Sequence, residues 1–238
     1  MKDESKRQPA AREQIKLAAL RLFAVHGIDG VTVRQIVDAC GQKNHAAVSY
    51  YFGTKEALVR ELVVDGARLI DIRRNALLDT LEAVGDPVTV TQVAEALVYP
   101  SIDLGGEGEE DSYIRFIFML TMNQRALFMD ALENRWNSGY LRCLDHLRRL
   151  LPHLSPAMQN QRFVFMGAYV ACVLAFREAA LSDRSRPHAM WRAHGTLADF
   201  IVTLTAMLEA PLAQEGGLPV SRRGKPRSIV GSVGMILD

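Results

Sequence analysis

The sequence predicts an all-α protein. It reads as a three-helix amino-terminal helix-turn-helix domain, a long connector helix and a larger helical body, about nine helices in all. Three observations lead there. Apolar residues recur at spacings of three and four over most of the chain. No stretch shows the strict alternation of a half-buried strand. Capping residues and helix-stopping Gly or Pro punctuate the periodic segments at regular intervals. With 238 residues, 49% apolar and 23% charged, the chain can bury a large core as one or two domains.

Residues 1–9 are charged, end at Pro9 and are expected to be disordered. Over residues 10–26, Ile15, Ala18, Ala19, Leu22 and Phe23 share one face of a first helix, which stops at Gly27. Thr32 opens the second with a capping box, its hydroxyl accepting from the amide three residues on while Gln35 reaches back. Val33, Ile36, Val37 and Cys40 form the apolar face, and Arg34, Gln35 and Asp38 look outward. Gly41 ends this helix without a Cβ penalty. A short third helix, about 44–51, follows Lys43 and carries Asn44, His45, Ser49, Tyr50 and Tyr51. A helix, a tight glycine turn and a second helix bearing polar and aromatic residues make the pattern of a helix-turn-helix, whose second helix enters the DNA major groove. Residues 10–53 therefore form the first domain.

Residues 54–213 form the second. Thr54 caps a connector helix, about 54–82, with Glu56 near the positive end of its dipole. Gly66 is a candidate weak point within it. Gly85, Asp86 and Pro87 break the chain before a helix over 89–99, stopped by Pro100. The glycine-rich acidic stretch 103–111 reads as a solvated loop. Helices are expected over 112–122, 125–151 and 156–181, the last started by Ser155 and Pro156. A final helix lies between Pro187 and Pro211. Residues 214–238 form a flexible tail, whose basic knot at Arg222, Arg223, Lys225 and Arg227 leaves a secondary contact to DNA phosphates open.

Charge is unevenly placed. Net charge is +1 overall, but residues 1–60 carry ten Lys or Arg against six Asp or Glu, a balance of +4 over a body at −3. A basic amino-terminal portion on a mildly acidic body suits a nucleic-acid reader joined to something else. Cys40, Cys143 and Cys172 are too few and too widely spaced for a disulfide framework, and the amino terminus lacks the apolar centre of a signal peptide. The longest charge-free apolar run, 163–176, is too short to cross a bilayer. A cytoplasmic protein with no membrane partner is expected.

Over residues 11–60 the marks AA..LF...G, T.R.I, a turn glycine, YYF and KEAL resemble the TetR family of bacterial transcriptional regulators. The resemblance covers about fifty of the 238 residues. It implies a sequence-specific regulator, by default a repressor, that binds a palindromic operator as a homodimer and is nucleoid-associated when bound. A small-molecule effector would release it by favouring a conformation that no longer matches the half-site spacing. Thr32, Tyr50, Tyr51 and Lys55 match positions that hold the DNA backbone. One of the two tyrosines packs inward. Val33, Arg34, Lys43, Asn44, His45 and Ser49 are the other DNA-contact candidates, Arg34 suiting guanine and Asn44 adenine. The chain departs from the family in one extra residue after Gly41, in Ser49 where tyrosine is common, and in Tyr51 where histidine often sits.

In the body, Phe116, Met119, Met122, Trp136, Tyr140, Tyr169 and Phe176 are candidates for an apolar effector pocket, with Phe118, Phe128, Phe165 and Met166 as further large apolar residues. No charged cluster marks an ionic ligand. Ala168, Ala171, Cys172, Ala175 and Ala179 form a small-residue seam on one helix. Trp191, Leu197, Ile201, Leu204 and Leu208 lie on the last helix, and the resemblance implies that these two helices form the dimer interface.

Neither a cofactor nor a metal site is expected, and no catalytic residue stands out. The sequence has no GxSxG, HExxH or phosphate-cradling glycine loop, and His146, three residues after Cys143, has no second half. The rival reading is a helical protein-interaction module that has kept the fold without specific DNA binding.

Overall fold

The computed structural model describes residues 4–41, 44, 46–105, 110–193 and 195–212. These residues form eleven α-helices and one 3-10 turn, with no strand among them. The order is α1 (Glu4–His26), α2 (Val33–Ala39), α3 (Ala47–Phe52), α4 (Lys55–Ala83), α5 (Val90–Val98), the 3-10 turn (Tyr99–Ser101), α6 (Tyr113–Asn123), α7 (Arg125–Leu132), α8 (Ser138–Leu150), α9 (Pro156–Ser182), α10 (Ala189–Arg192) and α11 (Gly195–Glu209). The expected tail, 214–238, lies outside the described residues.

Two helices exceed the expected nine because two segments break, the first where the sequence gives no Gly or Pro signal and the second just before Gly195. Glu133, Asn134 and Trp136 take φ of 47°, 55° and 59°, which no right-handed helix accommodates, so 125–151 becomes α7 and α8. Ala193 is extended and separates α10 from α11. At the amino terminus, α1 starts at Glu4 rather than at residue 10, so most of the segment expected to be disordered is helical. Residues 5–8 contain no glycine or β-branched residue to oppose helix. The third helix is shorter than expected, because Asn44 belongs to the turn: its Oδ1 accepts from Ala46 N at 2.9 Å.

Two buried cores organise the helices. The first gathers Ile15, Ala19 and Phe23 of α1, Ile36 and Val37 of α2, Val48 of α3 and the amino-terminal half of α4. It also contains Tyr113, Phe116 and Leu120 of α6 and Ala131 of α7. Phe23 and Phe116 stack with centroids 6.0 Å apart. The helix-turn-helix therefore shares its core with helices from the body instead of ending at residue 53. The second core joins Leu78 of α4 with α5, α8, α9 and α11. Helix α4 runs through both.

Gly66 is not a weak point in α4. A Cβ there would lie 2.1 Å from the Tyr113 ring, and the Tyr113 hydroxyl donates to Val63 O at 2.8 Å. The glycine is the notch that admits α6. At the other end of this contact, the Glu178 carboxylate of α9 accepts from Ile114 N at 3.0 Å and Arg115 N at 2.7 Å, closing the amino terminus of α6. Burial pushes Glu178 up to about 7, against the pull of those two amides. At the described ends of the acidic stretch, Asp111 accepts from Gly105 N and Arg184 pairs with Glu110.

Candidate nucleic-acid interface and ligand cavity

The reading domain is built as its caps dictate. Thr32 Oγ1 accepts from Gln35 N at 3.3 Å, and Gln35 Oε1 accepts from Thr32 N at 2.8 Å. This closes the box and fixes where α2 begins. Gly41 and Gly53 take φ of 68° and 76°, the left-handed region that lets α2 and α3 stop abruptly. Thr54 Oγ1 accepts from Ala57 N at 3.0 Å and starts α4.

On this frame Thr32, Arg34, Asn44, Ser49 and Tyr50 are all exposed. Tyr50 is 71% exposed and meets Tyr51 edge-on at 4.9 Å, while Tyr51 packs against the first core. Tyr51 is thus the inward aromatic and Tyr50 the one offered to a partner. Arg34 reaches solvent with only a 3.7 Å pairing to Asp38. Val33 is half-buried against the core, which leaves it a packing position more than a contact. Lys43 and His45 lie outside the described residues.

Lys55 has a second occupation that sequence reasoning missed. Its Nζ donates to Ile28 O and Val31 O, both at 2.9 Å, pinning the α1–α2 loop to the start of α4. Two of its three donors are thereby engaged. A lysine at the first turn of a helix next to a glycine-bounded loop was the available signal.

The body holds a cavity of about 680 Å³ between α4, α6, α7, α8 and α9. Its wall is mostly apolar, including Ile70, Leu97, Ile117, Phe118, Phe128 and Met166. Of the expected pocket residues, Trp136 and Tyr140 line it. The others do not. Phe116 is fully buried in the first core, and Met122 and Phe176 are 71% and 65% exposed. Met119 faces Gly27, and Tyr169 meets Phe200 edge-on with centroids 5.2 Å apart. Helical spacing alone does not tell which side of α6 or α9 faces the void.

One polar group on this wall was not singled out. Arg74 is only 8% exposed and donates from Nε to Ala96 O at 2.9 Å and from Nη2 to Leu97 O and Ser101 Oγ, each at 3.3 Å. Burial drives its pKa down, with Cys143, Tyr140 and Asp71 opposing. The Tyr140 hydroxyl and Trp136 Nε1 are sealed from solvent without a hydrogen-bond partner among the described residues.

The expected dimer seam divides. Ile201, Leu204 and Leu208 are at most 3% exposed and belong to the second core, and Ala175 of α9 is buried as well. Ala168, Ala171, Cys172, Ala179, Trp191 and Leu197 remain at least partly accessible. The outer face of α9 and α11 carries Phe165, Phe176 and Val202, each more than half exposed. By length and composition α9 holds a window apolar enough to cross a membrane, with mean hydropathy 1.6, of which only 22% is buried.

A basic, well-capped helix-turn-helix fused through a shared core to a cavity-bearing helical body defines a helix-turn-helix regulatory protein. Residues 15–62 match the family of bacterial regulatory proteins, tetR family, and the amino-terminal domain belongs to that family. Over 79 residues the chain is 37% identical to the HTH-type transcriptional repressor AcnR of Corynebacterium efficiens, and equally to that of Corynebacterium glutamicum. These alignments cover 31% of this chain and 40% of each relative, so the chain spans less than half the length of the curated relatives it matches.

Proposed function

We propose that the protein is a cytoplasmic, sequence-specific DNA-binding transcriptional regulator, acting as a repressor. In this reading it binds a palindromic operator as a homodimer and is released when a small, mainly apolar molecule enters the cavity. The observation that carries the reading is the exposed set Thr32, Arg34, Asn44, Ser49 and Tyr50 on a capped helix-turn-helix. Hydroxyls and a phenol there suit phosphate oxygens, and Arg34 suits a guanine edge. The uncovered apolar face of α9 and α11 supports the homodimer, since a second copy offers the same face by two-fold symmetry. The cavity supports the effector.

A gel-shift series with the DNA beside the protein's own gene tests the reading. Binding should prefer that DNA over random sequence and weaken steeply with salt, as phosphate contacts release counterions. Absence of any salt-sensitive, sequence-preferring shift would favour the rival, a helical interaction module without specific DNA binding.

A further inference from the structure

Arg74 is a buried cation whose charge the protein leaves incompletely balanced. Its Nε and Nη2 bonds go to α5 carbonyls and to a serine hydroxyl, so it faces the negative end of a helix dipole worth about half a charge. No carboxylate pairs with it among the described residues. Asp71, the acid that feels it, turns its two oxygens elsewhere, accepting from Gly139 N at 2.8 Å and Ser138 Oγ at 2.9 Å. Arg74 Nη1 makes no hydrogen bond among the described residues, and the residue lines the 680 Å³ cavity. Two more arginines, Arg135 and Arg148, stand on the same wall against a single acid, Asp145. Gly139 holds the arginine in place from behind: a Cβ there would sit 3.1 Å from Arg74 Cβ and Cγ.

A buried charge without a partner is costly, and a ligand that supplies the counter-charge recovers part of that cost. We infer that the cavity receives an apolar monocarboxylic acid, its carboxylate against Arg74 Nη1 and its hydrocarbon body along Ile70, Ile117, Phe118 and Met166. Arg135 is already paired with Glu133 at 2.9 Å, so one negative charge is directed to Arg74, and a guanidinium–carboxylate contact is among the stronger hydrogen-bonded pairs. The inference rests on the effector reading above but replaces a neutral apolar ligand with an anionic one.

Calorimetric titration of the full chain with decanoic acid, decan-1-ol and decylamine at mildly alkaline pH tests it. The acid should bind about tenfold or more tighter than the alcohol, and the amine least. Arg74→Met should erase the preference while the alcohol still binds. Arg74→Lys, which keeps the charge, should preserve the ranking and shows whether the site survives substitution. Equal binding of acid and alcohol, no binding of any of the three, or an undiminished preference in Arg74→Met overturns the inference. Operator-binding anisotropy with the same ligands separates the two readings. Release by alcohol as readily as by acid keeps the effector role and sinks the anion site. Tight, selective acid binding without release keeps the anion site and sinks the effector role.

Discussion

The reading domain and the cavity are built from different kinds of information. Helices α2 and α3 are fixed by signals within a few residues of where they act: the Thr32–Gln35 box, the positive φ of Gly41 and Gly53, and the Thr54 cap. The cavity has no local signal. Arg74 meets the carbonyls of residues 96 and 97, and Asp71 meets Gly139 across 68 positions of sequence. A site made of caps and turns is legible in sequence, and a site made of long-range approach is not.

The sharpest way to break this division is at its seam. Phe23→Ala or Phe116→Ala removes half of the stack that joins α1 to α6 and should cost about 3–5 kcal/mol. The shared core predicts a single cooperative transition in urea, followed by circular dichroism; two separate transitions would mean the domains are independent. Gly66→Ala should cost about 3 kcal/mol by overpacking Tyr113, whereas an ordinary helical glycine would gain about 1 kcal/mol from the same change. The sign of the shift in urea midpoint decides, and a Tyr113→Ala background should restore the ordinary sign.

Glu178 sharpens the comparison through pH. Its carboxyl is raised from 4.5 to about 7 in the folded protein, so the fold binds a proton more tightly than the unfolded chain does. The stability that Glu178 contributes is therefore full below about pH 4.5 and is lost as pH rises through about 7, on the order of 3 kcal/mol at most. Glu178→Gln should flatten that slope in urea melts across the window. On the reading side, Lys55→Met should lose about 1 kcal/mol of stability with its two carbonyl bonds as well as weakening binding to every DNA. Arg34→Ala should leave the melt unchanged and lose specific binding only, by about 1–3 kcal/mol; equal loss on random DNA would refute a base contact.

The legible part of the fold is the part with punctuation. Helices α4, α5 and α9 begin at the Thr54, Thr89 and Ser155 caps that their sequences display. The break at residues 133–136 was hidden because it uses non-glycine residues in left-handed conformation, held by their surroundings. Trp136 and Tyr140 line the cavity. Phe116, Met122 and Phe176 were misplaced because a helix of mixed apolar residues presents several faces, and only its neighbours decide which is covered. Arg74 carries no sign of its burial in the sequence, because an isolated arginine on a helix ordinarily points to water.

Helix α4 has one more consequence. It is 29 residues long, about 43 Å at the usual rise per residue, and each half is embedded in a different core. A rigid rod of that length magnifies small rotations: tilting it by about 5° at the cavity end carries the other end through about 4 Å, close to the spacing of one base pair. A side-chain adjustment too slight to disturb the body is thus large when measured on the scale of a DNA groove.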